Sequence, residues 1–557
     1  MRSWISQLTG NIDDRKHLVG TEAGIAEFEQ MLPSQPAIAI REVCETLEQA
    51  RAAGLGAAAF QRALGRLDEA VQPALHLLRH MLFRDARGER ISDVSQRALV
   101  DYSTCLAPLY AAALGAAKPA SGENQEAVGV LALRAMRQLM ELKKFARVGY
   151  QAPPQTLWGE IHRVHALASR LGVLRSQAVA YPGESDKCST HNEYVCGLLL
   201  ETAPLGSLLP TQIECLDLLV HRYAGALAFS DSPSVQAPFC FDLERPASPQ
   251  RWLPGLPKRP GTRFIGAGSM AAELQGMAEK ARAAGEVPSW AVPSECDLEG
   301  FVSLLRVLRE HWSPTPPQRR DRRMTGATEV LLVHGLVQAR RMVAASELAR
   351  AGVVQEPAVQ DKSRTHRQFD KIRFGSVNPD KTTTGKLQKK AFVPPKTLLD
   401  RMETAGDKQL MQRSSVADTS DSGIGVSIPA SATWARLGVL VGYRFPDSLD
   451  WQVAIVRRIA RISGQLSVGL ERLTGTLTTV HFMPEQNLAA ARSAFGEQVA
   501  LEALLLVNSR PLLIAPSTEF RAGQSIVLGI KENARPMRVA SLVGSGRDYR
   551  IIALEPA

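Results

Sequence analysis

The chain has 557 residues, 45% of them apolar and 22% charged, an ordinary globular composition with room for several domains at roughly 150 residues each. Collagen-like, mucin-like and wholly disordered readings are excluded, and no charge-free apolar run reaches the roughly 20 residues of a membrane-spanning helix. Net charge is +10, and residues 316–413 hold 20 Lys/Arg against 10 Asp/Glu, so the rest of the chain sums to zero. A basic field so confined attracts phosphates.

The opening residues, MRSWISQLTGNIDDRKH, show no apolar h-region or small-residue cleavage site, the features of a secretory leader. The seven cysteines are odd in number and irregular in spacing, which argues against a disulfide framework and for a reducing cytoplasm. From the start to about residue 230, apolar residues recur at three- and four-residue spacing. This predicts helices over 60–82, 91–114, 126–148, 156–171 and 210–227,. Residues 239–263 hold five prolines and read as an extended connection; helices are expected near 269–284 and 298–312. Residues 313–317 (SPTPP) form a stiff linker,. Beyond it the pattern turns to strands, expected at 329–332, 438–443, 452–456, 465–470 and 478–482, then at 504–508, 511–515, 525–530, 538–543 and 549–554, with a helix at 486–495,. Residues 353–413 are polar, basic and turn-rich and read as an insertion,. The expected architecture is multidomain α + β. A helical domain spans 1–235, and a connection with two helices spans 236–312. An antiparallel β-barrel spans 313–475 with a basic insertion at about 345–413, and a C-terminal β-rich unit spans 476–557.

Two motifs carry chemistry. Arg319, Arg320, Arg322 and Arg323 form a cluster that contains R-x-x-x-R, directly after the proline linker and just before a strand. Guanidinium groups pair bidentately with phosphate and can bond the O6/N7 edge of guanine. The second motif, residues 417–426 (ADTSDSGIGV), contains D-x-S-x-x-G in Asp418, Ser420 and Gly423. There a carboxylate can accept from guanine N–H groups, a hydroxyl can bond phosphate, and glycine admits a close backbone approach.

Together these resemble the PilZ domain family, six-stranded barrels that bind the bacterial messenger cyclic di-GMP. The match runs from the R-x-x-x-R arm and D-T-S-D-S-G-I-G-V through LGVLVGYR (437–444), WQVAIVRR (451–458) and GQLSVGLE (464–471). The resemblance implies a non-enzymatic cyclic di-GMP receptor with no cofactor beyond that ligand. Arg319 and Arg323 would hold phosphate and guanine, with Arg320 and Arg322 as further contacts. Asp418 and Ser420 would hold the guanine and phosphate edge, and Gly423 would shape the turn. The helical domain would carry the signal to a protein partner. The departure from the family is spacing, since 95 positions separate Arg323 from Asp418. Closing so long a loop adds only about 0.6 kcal/mol per doubling. Arg364/Arg367 and Arg367/Lys371 lie nearer to Asp418, but Arg319/Arg323 has the family spacing and precedes a strand.

The competing readings are a nucleic-acid or anionic-surface binder acting through the basic insertion, and a ligand-free PilZ-like scaffold. The insertion's aromatics, Phe369, Phe374 and Phe392, are few for single-strand stacking, which disfavours nucleic acid. Residues 266–271 (GAGSMA) fit G-x-G-x-x-A but lack a surrounding βαβ unit,, so an N-cap loop is expected. Cys188, His191, Cys196, Cys215 and His221 lack a zinc-knuckle spacing,. His76/His80 and His162/His165 read as core or surface histidines. No P-loop, nucleophile elbow or H-E-x-x-H occurs.

Overall fold

The computed structural model describes residues 19–87, 92–119, 121–253, 255–315, 324, 328–350, 410–484, 501–530 and 533–557. The chain divides into two compact units, Met1–Arg320 with Arg458–Leu466, and Asp321–Arg457 with Ser467–Ala557.

The first unit is helical to residue 222. Its helices are α1 (Glu22–Met31), α2 (Pro36–Ala52), α3 (Ala57–Ala70), α4 (Gln72–Arg87), α5 (Asp93–Ala116), α6 (Gln125–Val148), α7 (Gln155–Arg170), α8 (Thr190–Thr202) and α9 (Pro210–Arg222). Their starts follow from local chemistry. The side chains of Thr21, Ser92 and Ser189 accept from the backbone N–H of Gly24, Ser95 and Asn192, which satisfies donors that a helix leaves orphaned. Pro36 and Pro210 stand first in α2 and α9, where a missing N–H costs nothing. The helix expected over 60–82 is two helices joined at Val71. Pro73 has no N–H for the Glu69 carbonyl and its ring crowds that carbonyl. Leu64, Leu106, Met136, Ile161, Leu199 and Leu216 are fully buried in one core.

Residues 239–263 are more than a connection. β1 (Ala228–Ser230), β2 (Phe239–Asp242), β3 (Gln250–Arg251) and β4 (Thr262–Gly266) form a four-stranded sheet in the order β1-β4-β2-β3. Prolines between the strands keep that chain extended, but pairing satisfies its backbone. Helices α10 (Met270–Ala284) and α11 (Leu298–His311) follow as expected and bury Leu274, Phe301 and Leu308 in the same core.

The C-terminal part holds two closed six-stranded barrels. The first consists of β5 (Thr328–His334), β6 (Gln412–Thr419), β7 (Gly423–Pro429), β8 (Leu440–Arg444), β9 (Gln452–Ile462) and β10 (Gln465–Arg472), closed in the order β10-β7-β6-β5-β8-β9. Alternate residues fill it, among them Ile424, Val426 and Ile428 of β7 and Leu466, Val468 and Leu470 of β10,. The second consists of β11 (Thr476–Pro484), β12 (Leu501–Val507), β13 (Leu512–Pro516), β14 (Ser525–Ile530), β15 (Asn533–Ser545) and β16 (Tyr549–Pro556), closed as β11-β12-β13-β16-β15-β14. Numbered within each barrel, the strands neighbour one another identically: first to second, second to third, third to sixth, sixth to fifth, fifth to fourth, fourth to first. The expected C-terminal β-rich unit is therefore a second barrel of the same strand order.

Helix α12 (Leu336–Arg350) follows β5 and is not expected from the sequence; only its last residues reach the expected insertion at about 345–413. Its Leu336, Ala339, Met342 and Val343 pack with Leu440, Trp451, Val453 and Ile455 of the first barrel and Leu504, Ile514, Tyr549 and Ile551 of the second. Asp548 Oδ2 accepts from the Leu336 N–H at 2.6 Å, capping the helix. Glu347 accepts from Thr478 Oγ1 (2.6 Å), Thr479 N (2.9 Å) and Thr479 Oγ1 (2.7 Å) on β11. Residues 351–409, which hold most of the expected insertion with Arg364, Arg367 and Lys371, and the helix expected at 486–495, lie outside the described residues.

Candidate functional site

The D-x-S-x-x-G motif sits where β6 turns into β7. Val416 pairs with Val426 but Asp418 pairs with Gly425, so Ala417 is an extra residue, a β-bulge. Val416 is buried in the barrel, and strict alternation from it would aim Asp418 inward,. The bulge instead sets Asp418 on the same outward face as Gly425, re-aiming one side chain without breaking the barrel. A Cβ on Gly425 would lie 2.7 Å from Asp418 Oδ1, so the second glycine of G-I-G is the seat of that carboxylate.

Ser420 N donates to Gly423 O at 2.8 Å, closing a tight turn over Asp421 and Ser422. Gly423 allows a close approach: a Cβ there would stand 3.0 Å from the Leu470 carbonyl of β10, a tight contact that would push the turn away from the strand. The Ser420 hydroxyl lies beside Gly423, 3.4 Å from its carbonyl oxygen. The structure thus brings Asp418, Ser420 and Gly423 onto one hairpin end.

Arg319, Arg320, Arg322 and Arg323 lie outside the described residues. Met324, the next residue after Arg323, is described. Its N–H donates to Thr419 O at 2.8 Å, and its carbonyl accepts from Thr419 N at 2.9 Å. Thr419 stands between Asp418 and Ser420. The chain that leaves the arginine cluster is therefore tied by two backbone hydrogen bonds to the middle of the other motif, across the 95 positions that part them in sequence.

Arg472, at the end of β10, gives no signal in the sequence. Its N–H donates to Ser422 O at 2.9 Å. Its Nη1 donates to Ser420 O at 3.1 Å and its Nε to the Tyr443 hydroxyl at 2.9 Å. That hydroxyl donates in turn to Gln452 Oε1. Burial pushes the Tyr443 phenol above its ordinary value, so it stays protonated and can play both parts.

The other sequence candidates resolve as structure. In GAGSMA, the N–H groups of Gly268 and Ser269 already donate to Gln236 O and Ala226 O at 3.3 Å each. Cβ atoms on Gly266 and Gly268 would collide with those same carbonyls, at 2.1 and 2.0 Å. The glycines serve chain packing, and the two backbone donors at the turn are spent within the protein. Among the described residues no group of three or more His, Cys, Asp or Glu could hold a metal ion. Cys196 Sγ donates to Val220 O, His221 sits against Asp217 and Glu193, and His80 lies 3.7 Å from Glu295. His162, His165 and His191 pack among Tyr194, Phe229 and Phe241. Burial pulls each of these three down to about 4.

Sequence reasoning also missed the charged interior of the helical unit. Asp68 is fully buried and accepts from the hydroxyls of Tyr102, Tyr110 and Tyr181. Lys144 of α6 reaches Asp217 (2.7 Å), Glu214 (3.0 Å) and Glu141 (3.3 Å), which hold its ammonium well above its ordinary value despite burial. These groups are satisfied by one another, as buried charges must be, and they leave no open site. Among the described residues no helix is long and apolar enough to cross a membrane.

Comparison with known families finds that residues 27–234 match the family model described as the cyclic-di-GMP receptor FimW, N-terminal domain. The match covers most of the helical region and stops short of both barrels. No curated protein sequence matches the chain.

Proposed function

We propose that the protein is a non-enzymatic receptor for cyclic di-GMP, with its ligand site on the first barrel and its helical unit as the output. The observation that supports this reading most directly is the Met324–Thr419 bridge, because Met324 directly follows Arg323 in the chain and Thr419 lies inside D-x-S-x-x-G, the pairing of motifs that the PilZ resemblance implies. The likeness of residues 27–234 to the N-terminal domain of a cyclic-di-GMP receptor supports it independently, from a part of the chain that holds neither motif.

In this reading Arg319 and Arg323 grip phosphate and the guanine Hoogsteen edge, with Arg320 and Arg322 as further contacts. Asp418 accepts from guanine N–H groups, Ser420 bonds a phosphate oxygen, and Gly423 keeps the turn close to β10. A receptor signals only if its ligand favours one arrangement over another, and the arm is the element whose contacts the ligand would change. The site of action is the cytoplasm, and the helical unit passes the signal to a protein partner.

Calorimetric titration of cyclic di-GMP into the full chain tests this. Saturable binding that cyclic di-AMP does not displace is expected, weakened at least about 100-fold in Arg319→Ala/Arg323→Ala and in Asp418→Ala, since each charged hydrogen bond contributes about 1.5–3 kcal/mol. Absence of saturable binding, or equal binding of the adenine analogue, would overturn the reading.

A further inference from the structure

Arg472 is held as a ligand-binding arginine would be, and among the described residues no carboxylate pairs with it. Its guanidinium lies 5.6 Å from the Tyr443 ring centroid and 6.0 Å from that of Phe445. Those two rings meet edge to face at 6.1 Å. With Nη1 on Ser420 O and Nε on the Tyr443 hydroxyl, the fork is fixed against the hairpin end that bears the D-x-S-x-x-G motif. The carboxylate next to it in sequence, Glu471, is taken by Arg457 at 2.6 Å. Among the described residues no carboxylate pairs with Arg472, and its Nη2 amino group has no acceptor. The side chain is partly exposed.

Arg472 differs from Arg251, which also lies over a ring but spends both of its terminal amino groups on the carbonyls of His311, Ser313 and Pro314; Arg472 keeps one back. Holding a long side chain in one rotamer costs conformational freedom. An arginine pre-set in this way binds an anion without meeting that cost again. The acceptor that suits a fixed, uncompensated cation beside a serine turn is a phosphate oxygen.

We propose that Arg472 is a third element of the nucleotide site, its Nη2 donating to a phosphodiester oxygen of the ligand, with Tyr443 and Phe445 as the platform that aims it. This rests on the receptor reading above and adds to it a residue from neither sequence motif. It also makes the first barrel contribute phosphate binding of its own, from β10, besides whatever the arm supplies.

The test is titration of cyclic di-GMP into the full chain at low and high salt, using Arg472→Gln, Arg472→Lys and Phe445→Ala. Glutamine keeps an amide donor for Ser420 O but loses the charge. Its binding should fall roughly 10- to 100-fold at low salt, and its affinity should depend less on salt than the wild type's, because a screened charge contact has been removed. Lysine keeps the charge without the fork and should fall in between. Phe445→Ala should weaken binding only a few-fold, with salt dependence retained. Thermal midpoints of the variants, measured in parallel, report any damage to the turn. Wild-type binding with Arg472→Gln equal to it at both salts would overturn the proposal, as would a loss that is the same at both salts. If the wild type does not bind, the receptor reading fails and this one with it.

Discussion

The two barrels share a strand order but not a chemistry. In the first, the link from second to third strand is a tight turn preceded by a bulge, with Asp418 seated on Gly425 and the incoming chain bridged at Thr419. In the second, the corresponding link runs from Val507 to Leu512 and shows no bulge. Its polar residue, Asn508, is spent locally: Oδ1 accepts from Arg510 N at 3.0 Å and Nδ2 donates to Thr474 O at 3.3 Å. That is an Asx turn, the ordinary structural use of such a side chain. No arm precedes the second barrel either, since β10 of the first barrel leads into it within three residues. Strand order alone thus does not distinguish the barrels; one inserted residue, two glycines and a backbone tether do.

The sharpest way to break this contrast is to alter each link in turn. Gly425→Val should drive a methyl group into the Asp418 carboxylate and lower cyclic di-GMP affinity by at least about 100-fold, with Asn508→Ala unchanged. Calorimetry that shows equal effects would mean that both barrels, or neither, hold the nucleotide.

Acid separates the barrels from the helical unit. His162, His165 and His191 have ring nitrogens that are buried without a partner. Burial holds them neutral down to about 4, and Arg175 and Arg263 nearby add to the effect, while Asp242 opposes it at His162. The unfolded chain takes up these protons near pH 6.5. Stability is therefore complete above that pH and falls as pH drops from about 6.5 toward 4, by on the order of a few kcal/mol in all. His221, held charged by Asp217 and Glu193, acts in the opposite sense: its contribution is full well below pH 6.5, where both states are protonated, and is lost as pH rises through and above that value. The thermal midpoint of the helical circular-dichroism signal should fall between pH 6.5 and 4.5, and His165→Phe should flatten the fall. A midpoint level across that range in the wild type would contradict the assignment.

The smallest effect concerns what joins the barrels. Glu347→Ala removes three hydrogen bonds to Thr478 and Thr479, which can then bond water. About 1–3 kcal/mol should be lost, seen as a lower denaturant midpoint with nucleotide affinity unchanged. A change in affinity instead would show that α12 takes part in binding.

Most strands were legible because β-branched residues alternate in them, and the helices because Ala and Leu recur at helical spacing. Val71 was not seen as a break because the apolar rhythm runs through it and only Pro73 interrupts the backbone. Helix α12 escaped because its buried face is largely Ala, Met and Ser, which gives a weak pattern. The sheet of β1 to β4 escaped because its strands are two to five residues long. For the site, the letters of D-T-S-D-S-G-I-G were readable, but the bulge at Ala417 depends on which residue of β7 faces which of β6. Register of that kind is settled by packing across the barrel. Arg472 was invisible for the same reason, because a lone arginine after a strand acquires meaning only from Tyr443, Phe445 and Ser420, brought to it by closure. The order of the strands, and hence the likeness of the two barrels, is likewise a property of long-range pairing.

The Met324–Thr419 bridge also sets a length scale. Arg319 is five residues from that anchor, and five residues of chain span at most about 18 Å. A short tether of this kind converts a second binding event into one at an effective concentration of order millimolar. On the receptor reading proposed above, the arginines would not have to find the nucleotide by diffusion through solution: with one edge of it held by Asp418 and Ser420, the chain length would keep the arm within reach, and each of its contacts would multiply affinity without a further loss of translational freedom.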